Sequence, residues 1–232
     1  VMDNLSSIVC AILGNDQQSP KATAAFVTKN KLLACAHSVY PFLNSPIGTP
    51  LSKVKVRLLH SHEGTKTQLI ASVDEISYSN DGLTDFAVLS VDRDLQSLAS
   101  GVMPLPLRPT PPQPEEVFST FGFGEAIGKT GASGIGKFIG PEGDQQLWRV
   151  ESQSIAQLGY SGSPLIDGSG YVAAILREIP AESSSSDPTK LFAVPAFRIL
   201  ERSVVLCGSS RSSLHREKNP VELLAFEKIR VL

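Results

Sequence analysis

The 232 residues carry 21 Lys and Arg against 23 Asp and Glu, a formal net charge of −2, with 41% hydrophobic and 19% charged residues. That near-balance gives no electrostatic reason for nucleic acid or an anionic membrane as a partner, and no apolar run approaches the ~20 residues that a transmembrane helix needs. The chain is long enough to bury a sizeable core within one all-β domain, and its 18 Gly and 16 Pro imply many turns.

No basic-then-apolar leader opens the sequence, although Val1 precedes Met2 and leaves room for a removed presequence. Apolar and β-branched runs follow at 5–13, 23–28, 31–35, 53–60, 68–78 and 85–91, separated by Gly, Asn, Pro and Lys-rich breaks at hairpin spacing. Six such strands suffice for one small barrel. The proline-dense stretch from Met103 to Pro114 cannot hold a central strand or a helix, because proline removes backbone donors. A second set of six runs lies at 116–122, 133–139, 146–152, 164–167, 171–177 and 191–194. The expected fold class is therefore all-β: two six-stranded antiparallel β-barrels, about 5–95 and 116–195, joined by a connector at about 102–115 and followed by short C-terminal helices. Residues 195–202 can pack one apolar face of such a helix. Asn219-Pro220-Val221-Glu222 reads as an N-cap, a first-turn proline and a capping-box glutamate. Residues 1–205 are thus expected to form the main domain, and 206–232 a polar linker and helical tail. The tail either packs on the barrels or leads into a further domain, and is where a regulatory partner would be sought.

Cys10, Cys35 and Cys207 are odd in number and widely spaced, which predicts a disulfide-independent fold and an intracellular, cytoplasmic setting. Without paired spacing they make no zinc site, and Cys35 reads as a small buried strand residue. Two other patterns carry little. Gly124-Glu125-Ala126-Ile127-Gly128-Lys129-Thr130 ends like a phosphate-binding loop but is one residue short. His60 and His62 lack a third ligand at metal spacing.

Three further pieces arrive in the order His, Asp, Ser: Ala34-Cys35-Ala36-His37, Thr84-Asp85-Phe86-Ala87-Val88-Leu89 and Gly159-Tyr160-Ser161-Gly162-Ser163-Pro164-Leu165. Together they resemble the signature blocks of the chymotrypsin-fold serine proteases. The resemblance continues through residues 131–136 and 170–175, and Phe192 to Ile199 is similar to the end of the protease domain in the HtrA branch. It covers roughly residues 5 to 203 and fits the disulfide-free, HtrA-like or viral-like kind.

The resemblance implies a serine endopeptidase acting on polypeptides without metal or cofactor. Ser161 would be the nucleophile, His37 the general base and then acid, and Asp85 the group that orients His37. The backbone N–H groups of Gly159 and Ser161 would form the oxyanion hole. Where zymogen-activated relatives place Asp before the nucleophile this chain has Tyr160, so that switch is expected to be absent, and Ser163 replaces a common Gly. The pocket floor falls on Ile155, followed by Ala156, with Leu158 also expected to bind substrate. The walls would come from Leu176, Arg177 and Glu178, and from Phe192, Ala193 and Val194. An apolar floor favours aliphatic or aromatic side chains, while Arg177 offers an acidic residue a partner instead. The alternative is a catalytically inactive protease-like domain that grips a peptide or protein partner.

Overall fold

A computed structural model describes residues 2–14, 19–42, 53–58, 67–79, 84–99, 101–123, 131–142, 147–152, 160–177 and 191–207. The first six strands are β1 (Val9–Leu13), β2 (Pro20–Phe26), β3 (Lys31–Ala34), β4 (Lys53–Leu58), β5 (Thr67–Tyr78) and β6 (Asp85–Val91). They close into a barrel in the order β1-β2-β3-β6-β5-β4. The second six are β7 (Val117–Gly122), β8 (Ala132–Glu142), β9 (Leu147–Glu151), β10 (Pro164–Ile166), β11 (Val172–Arg177) and β12 (Leu191–Pro195). These close as β10-β11-β12-β9-β8-β7, and all the strand pairings are antiparallel. Both barrels expected from the sequence are present.

Differences from expectation are local. The run at 5–13 begins as a 3-10 turn over Met2–Ser7, and extended pairing starts only at Val9. Two short helices interrupt the strand pattern, α1 (Ala36–Val39) and α2 (Leu95–Leu98). The Asp94 side chain caps α2 by accepting from Gln96 N–H at 2.9 Å. The helix expected at 195–202 is α3 (Ala196–Arg202), whereas the helix expected from Asn219 lies outside the described residues.

β1 is buried along its whole length, unlike a half-solvated strand, because one face fills its barrel and the other meets neighbouring layers. The first barrel's core runs on without a break into Phe121, Phe123, Ile166, Val172 and Ile175 of the second half. A separate cluster fills the second barrel: Phe118, Phe138, Trp148, Tyr160, Leu165 and Leu176. There Phe138 makes edge-on ring contacts with Phe118 and Trp148, with centroids 5.0 and 6.0 Å apart.

The connector does more than span the gap. Leu105 N–H bonds Phe26 O of the first barrel at 2.9 Å, and Leu107 forms a parallel bridge with Val172 of the second. Arg108 then pairs with Glu116 and Asp167, fastening the connector's far end to the second barrel. Beyond α3, Ser203 Oγ bonds Glu75 on β5, so the segment after this helix also straps the two halves together. These ties fix the cleft between the barrels.

Candidate active site

β3 ends at Ala34, Cys35 stays extended, and α1 starts at once, which carries His37 to the mouth of the first barrel. Asp85 is the first residue of β6, opposite Tyr78 on β5. Its approach is locked by Ser79: Ser79 N–H donates to Thr84 O, while Thr84 N–H and Oγ1 donate to Ser79 Oγ, each at 2.9 Å. Ser161 sits in the tight turn before β10, where Ser163 N–H returns to Tyr160 O at 2.8 Å and Gly162 takes φ +87°. That positive φ favours glycine. Two backbone bonds anchor the turn from opposite sides, Thr23 N–H to Ser161 O at 2.9 Å from the first barrel and Gly162 N–H to Leu176 O at 2.8 Å from the second.

The fold thus brings together three side chains far apart in sequence. His37 Nδ1 lies 2.5 Å from Asp85 Oδ2, and His37 Nε2 lies 3.1 Å from Ser161 Oγ. The His37 backbone N–H also donates to Asp85 Oδ1 at 2.9 Å. A carboxylate paired this way keeps the ring proton on Nδ1, leaving the Nε2 lone pair for a hydroxyl. Asp85 is wholly buried. Burial pushes its carboxyl upward, but the His37 hydrogen bonds and the Arg177 charge outweigh it and hold the group below the ordinary range. The carboxylate therefore stays ionised.

The structure places the other expected residues variously. Leu176, expected in a pocket wall, is buried in the second-barrel core, because the alternation along β11 turns it inward. Arg177, expected beside it as a wall that could receive an acidic side chain, instead donates Nε to Asp85 Oδ2 at 2.9 Å across the cleft. Phe192 is half-buried on β12, in register with Arg177 and Arg149. Gly159, Ile155, Ala156, Leu158 and Glu178 lie outside the described residues. The phosphate-loop pattern at 124–130 and the pair His60 and His62 also lie there. Tyr160 is fully buried and packs its ring beneath Gly122, where an added Cβ would meet the ring at 2.6 Å.

Two contacts were missed from the sequence. Ser38 Oγ lies 3.0 Å from His37 Nε2, so a second hydroxyl faces the same lone pair as Ser161. Cys35 lies at the strand-to-helix junction and donates Sγ–H to Leu176 O at 3.2 Å, one more bond across the cleft. Burial, the first cause, raises its thiol well above the ordinary range. Donor atoms of Cys35, His37 and Asp85 lie within 4.8 Å of one another. They do not suit a cation, because the Asp85 carboxylate already faces the His37 ring and the positively charged Arg177 guanidinium.

Residues 22–175 match the family model of the trypsin-like peptidase domain. The chain belongs to the trypsin-like peptidase family. Solved structures of this fold surround it at low identity. The MamO protease domain from Magnetospirillum magneticum is 18% identical with a TM-score of 0.62, covering 88% of this chain and 100% of its own. Neuropsin, a serine protease expressed in the limbic system of mouse brain, is 14% identical with a TM-score of 0.64, covering 87% and 94%. A scabies mite inactivated protease paralogue is 13% identical with a TM-score of 0.63, covering 85% and 92%. No curated protein matches the sequence. As a trypsin-like peptidase the chain falls among proteins whose substrates are polypeptides, and its three cysteines are all free.

Proposed function

We propose that this trypsin-like peptidase is an active serine endopeptidase that uses His37, Asp85 and Ser161. The continuous relay from Asp85 Oδ2 through His37 to Ser161 Oγ, with links of 2.5 and 3.1 Å, is the observation that carries the reading. Ser161 Oγ bonds to the scissile carbonyl carbon as its proton passes to His37 Nε2, and the carbonyl π pair becomes an oxyanion. The backbone N–H groups of Gly159 and Ser161 receive that charge. Collapse of the intermediate breaks the C–N bond, and the departing amine takes the proton from Nε2. Water then repeats the sequence on the acyl-enzyme. Asp85 remains ionised throughout and stabilises the imidazolium. Ile155, which the resemblance puts at the pocket floor, and Ala156 after it are apolar, which supports cleavage after an apolar side chain.

A second reading has its own support. The Ser38 hydroxyl competes for the Nε2 lone pair, which suits a catalytically silent cleft that grips a peptide. Fluorophosphonate labelling, read by intact mass on wild type beside Ser161→Ala, separates the two. One adduct confined to the wild type is the expected result. Equal labelling of both proteins, or of neither, would sink the assignment of Ser161.

A further inference from the structure

Among the described residues the Asp85 carboxylate has three donors, and the third comes from the other barrel. His37 supplies its backbone N–H to Oδ1 and its ring Nδ1–H to Oδ2. Arg177 Nε, from the end of β11, donates to that same Oδ2. The pair is well shielded, with Asp85 fully buried and the Arg177 side chain 13% exposed, so solvent and salt screen it weakly. The Arg177 backbone is held in the β11–β12 ladder opposite Phe192, and its neighbour Leu176 accepts the Gly162 and Cys35 bonds. One strand end therefore contacts all three parts of the site. Among the described residues, the Cys35 thiol between β3 and α1 lies close enough to feel both charges, and Tyr78 stands opposite Asp85 on β5. Arg149 is in register with Phe192 one strand beyond Arg177, and its side chain is exposed.

Resting on the serine-protease reading above, we propose that Arg177 is a positioning residue of the site: it clamps the Asp85 carboxylate in the orientation that holds His37, and offsets the negative charge that Asp85 presents to the imidazole. The physical basis is the asymmetry of the pair. A lone buried carboxylate beside an imidazole favours the imidazolium, whereas a carboxylate paired with a guanidinium presents little net charge to it. The rigid guanidinium aims its Nε–H at one carboxylate oxygen, Oδ2, which a freely rotating ammonium on a flexible stem does not.

The test uses the full chain with Arg177→Gln and Arg177→Lys. The chain has four histidines, so the His37 ring can be followed by NMR against pH and assigned with His37→Ala. In Arg177→Gln the midpoint of that titration is expected to move up by about one pH unit, and the acid limb of fluorophosphonate labelling to move with it. The maximal labelling rate is expected to fall roughly 10–100-fold as the carboxylate loses its orientation. Arg177→Lys should restore the midpoint but not the rate. Identical midpoints in all three proteins would overturn the charge role, and an unchanged maximal rate in both variants would overturn the clamp. If Arg177→Gln does not fold, the lysine variant decides alone: a wild-type rate refutes the clamp, and a reduced rate at a wild-type midpoint upholds it. The NMR titration needs no turnover, so an unlabelled wild type would remove the protease reading while the midpoint still judges Arg177.

Discussion

Replacing Gly162 with alanine is expected to damage the site and the barrel interface together. At φ +87° an L-residue costs about 1–2 kcal/mol. The added methyl would fall inside the van der Waals envelope of the Thr23 carbonyl oxygen and 3.2 Å from Cys35 N. That carbonyl cannot retreat, because Thr23 sits in β2 paired to Ala11 on β1. The turn must move instead, straining the Thr23 N–H to Ser161 O and Gly162 N–H to Leu176 O bonds, each worth about 1 kcal/mol net. Together the terms come to about 3–4 kcal/mol, or a fall in melting temperature of roughly 6–16 °C for a chain of this size. Displacing Ser161 Oγ by about 1 Å should also slow fluorophosphonate labelling roughly 100-fold. Gly170→Ala is the control: it has φ +86° but nothing within 4 Å of the new methyl, so it isolates the dihedral cost. Equal melting temperatures and labelling rates for Gly162→Ala and Gly170→Ala would refute the clash argument.

Two further expectations follow from the buried groups. Asp85→Asn should lower peptide turnover by roughly 10³–10⁴-fold, since the amide favours the wrong tautomer of His37. Because the folded-state carboxyl is held below its unfolded value, its stabilisation is present above about pH 4 and lost as pH falls through the lowered value. The melting-temperature gap between wild type and Asp85→Asn should therefore narrow at acid pH; a gap constant from pH 2.5 to 7 would contradict this. Native alkylation at pH 8 should modify Cys207, which is exposed, and spare Cys10 and Cys35, which are buried with thiols pushed up by desolvation. Intact mass should show one adduct in native protein and three in denaturant, and rapid native modification of two or more would count against the described packing.

Apolar and β-branched runs bounded by turn residues, and a proline-dense break between two sets of six, made the double barrel legible from the sequence. Strand and turn composition is a local property, so it survives in the sequence. The candidates His37, Asp85 and Ser161 were legible because each lies in a short block that resembles those of the chymotrypsin-fold serine proteases, in the same order. Helix α1 was not, because its four residues are too few to show a period and its start is set by Asp85 accepting the His37 N–H from another strand.

Residue type alone established that the chain has a hydroxyl, an imidazole and a carboxylate in suitable order, and cysteines without paired spacing. Only the tertiary structure decided which partners they meet. Arg177 read as a pocket wall, since nothing in β11 by itself reveals that the strand ends opposite a buried carboxylate of the other barrel. Nothing in the sequence marks Ser38 as a site residue, although its hydroxyl shares Nε2 with Ser161. Such contacts depend on how two closed barrels dock through Thr23, Cys35 and Leu176. Docking geometry is set by the summed packing of both cores, and no local stretch of sequence encodes it.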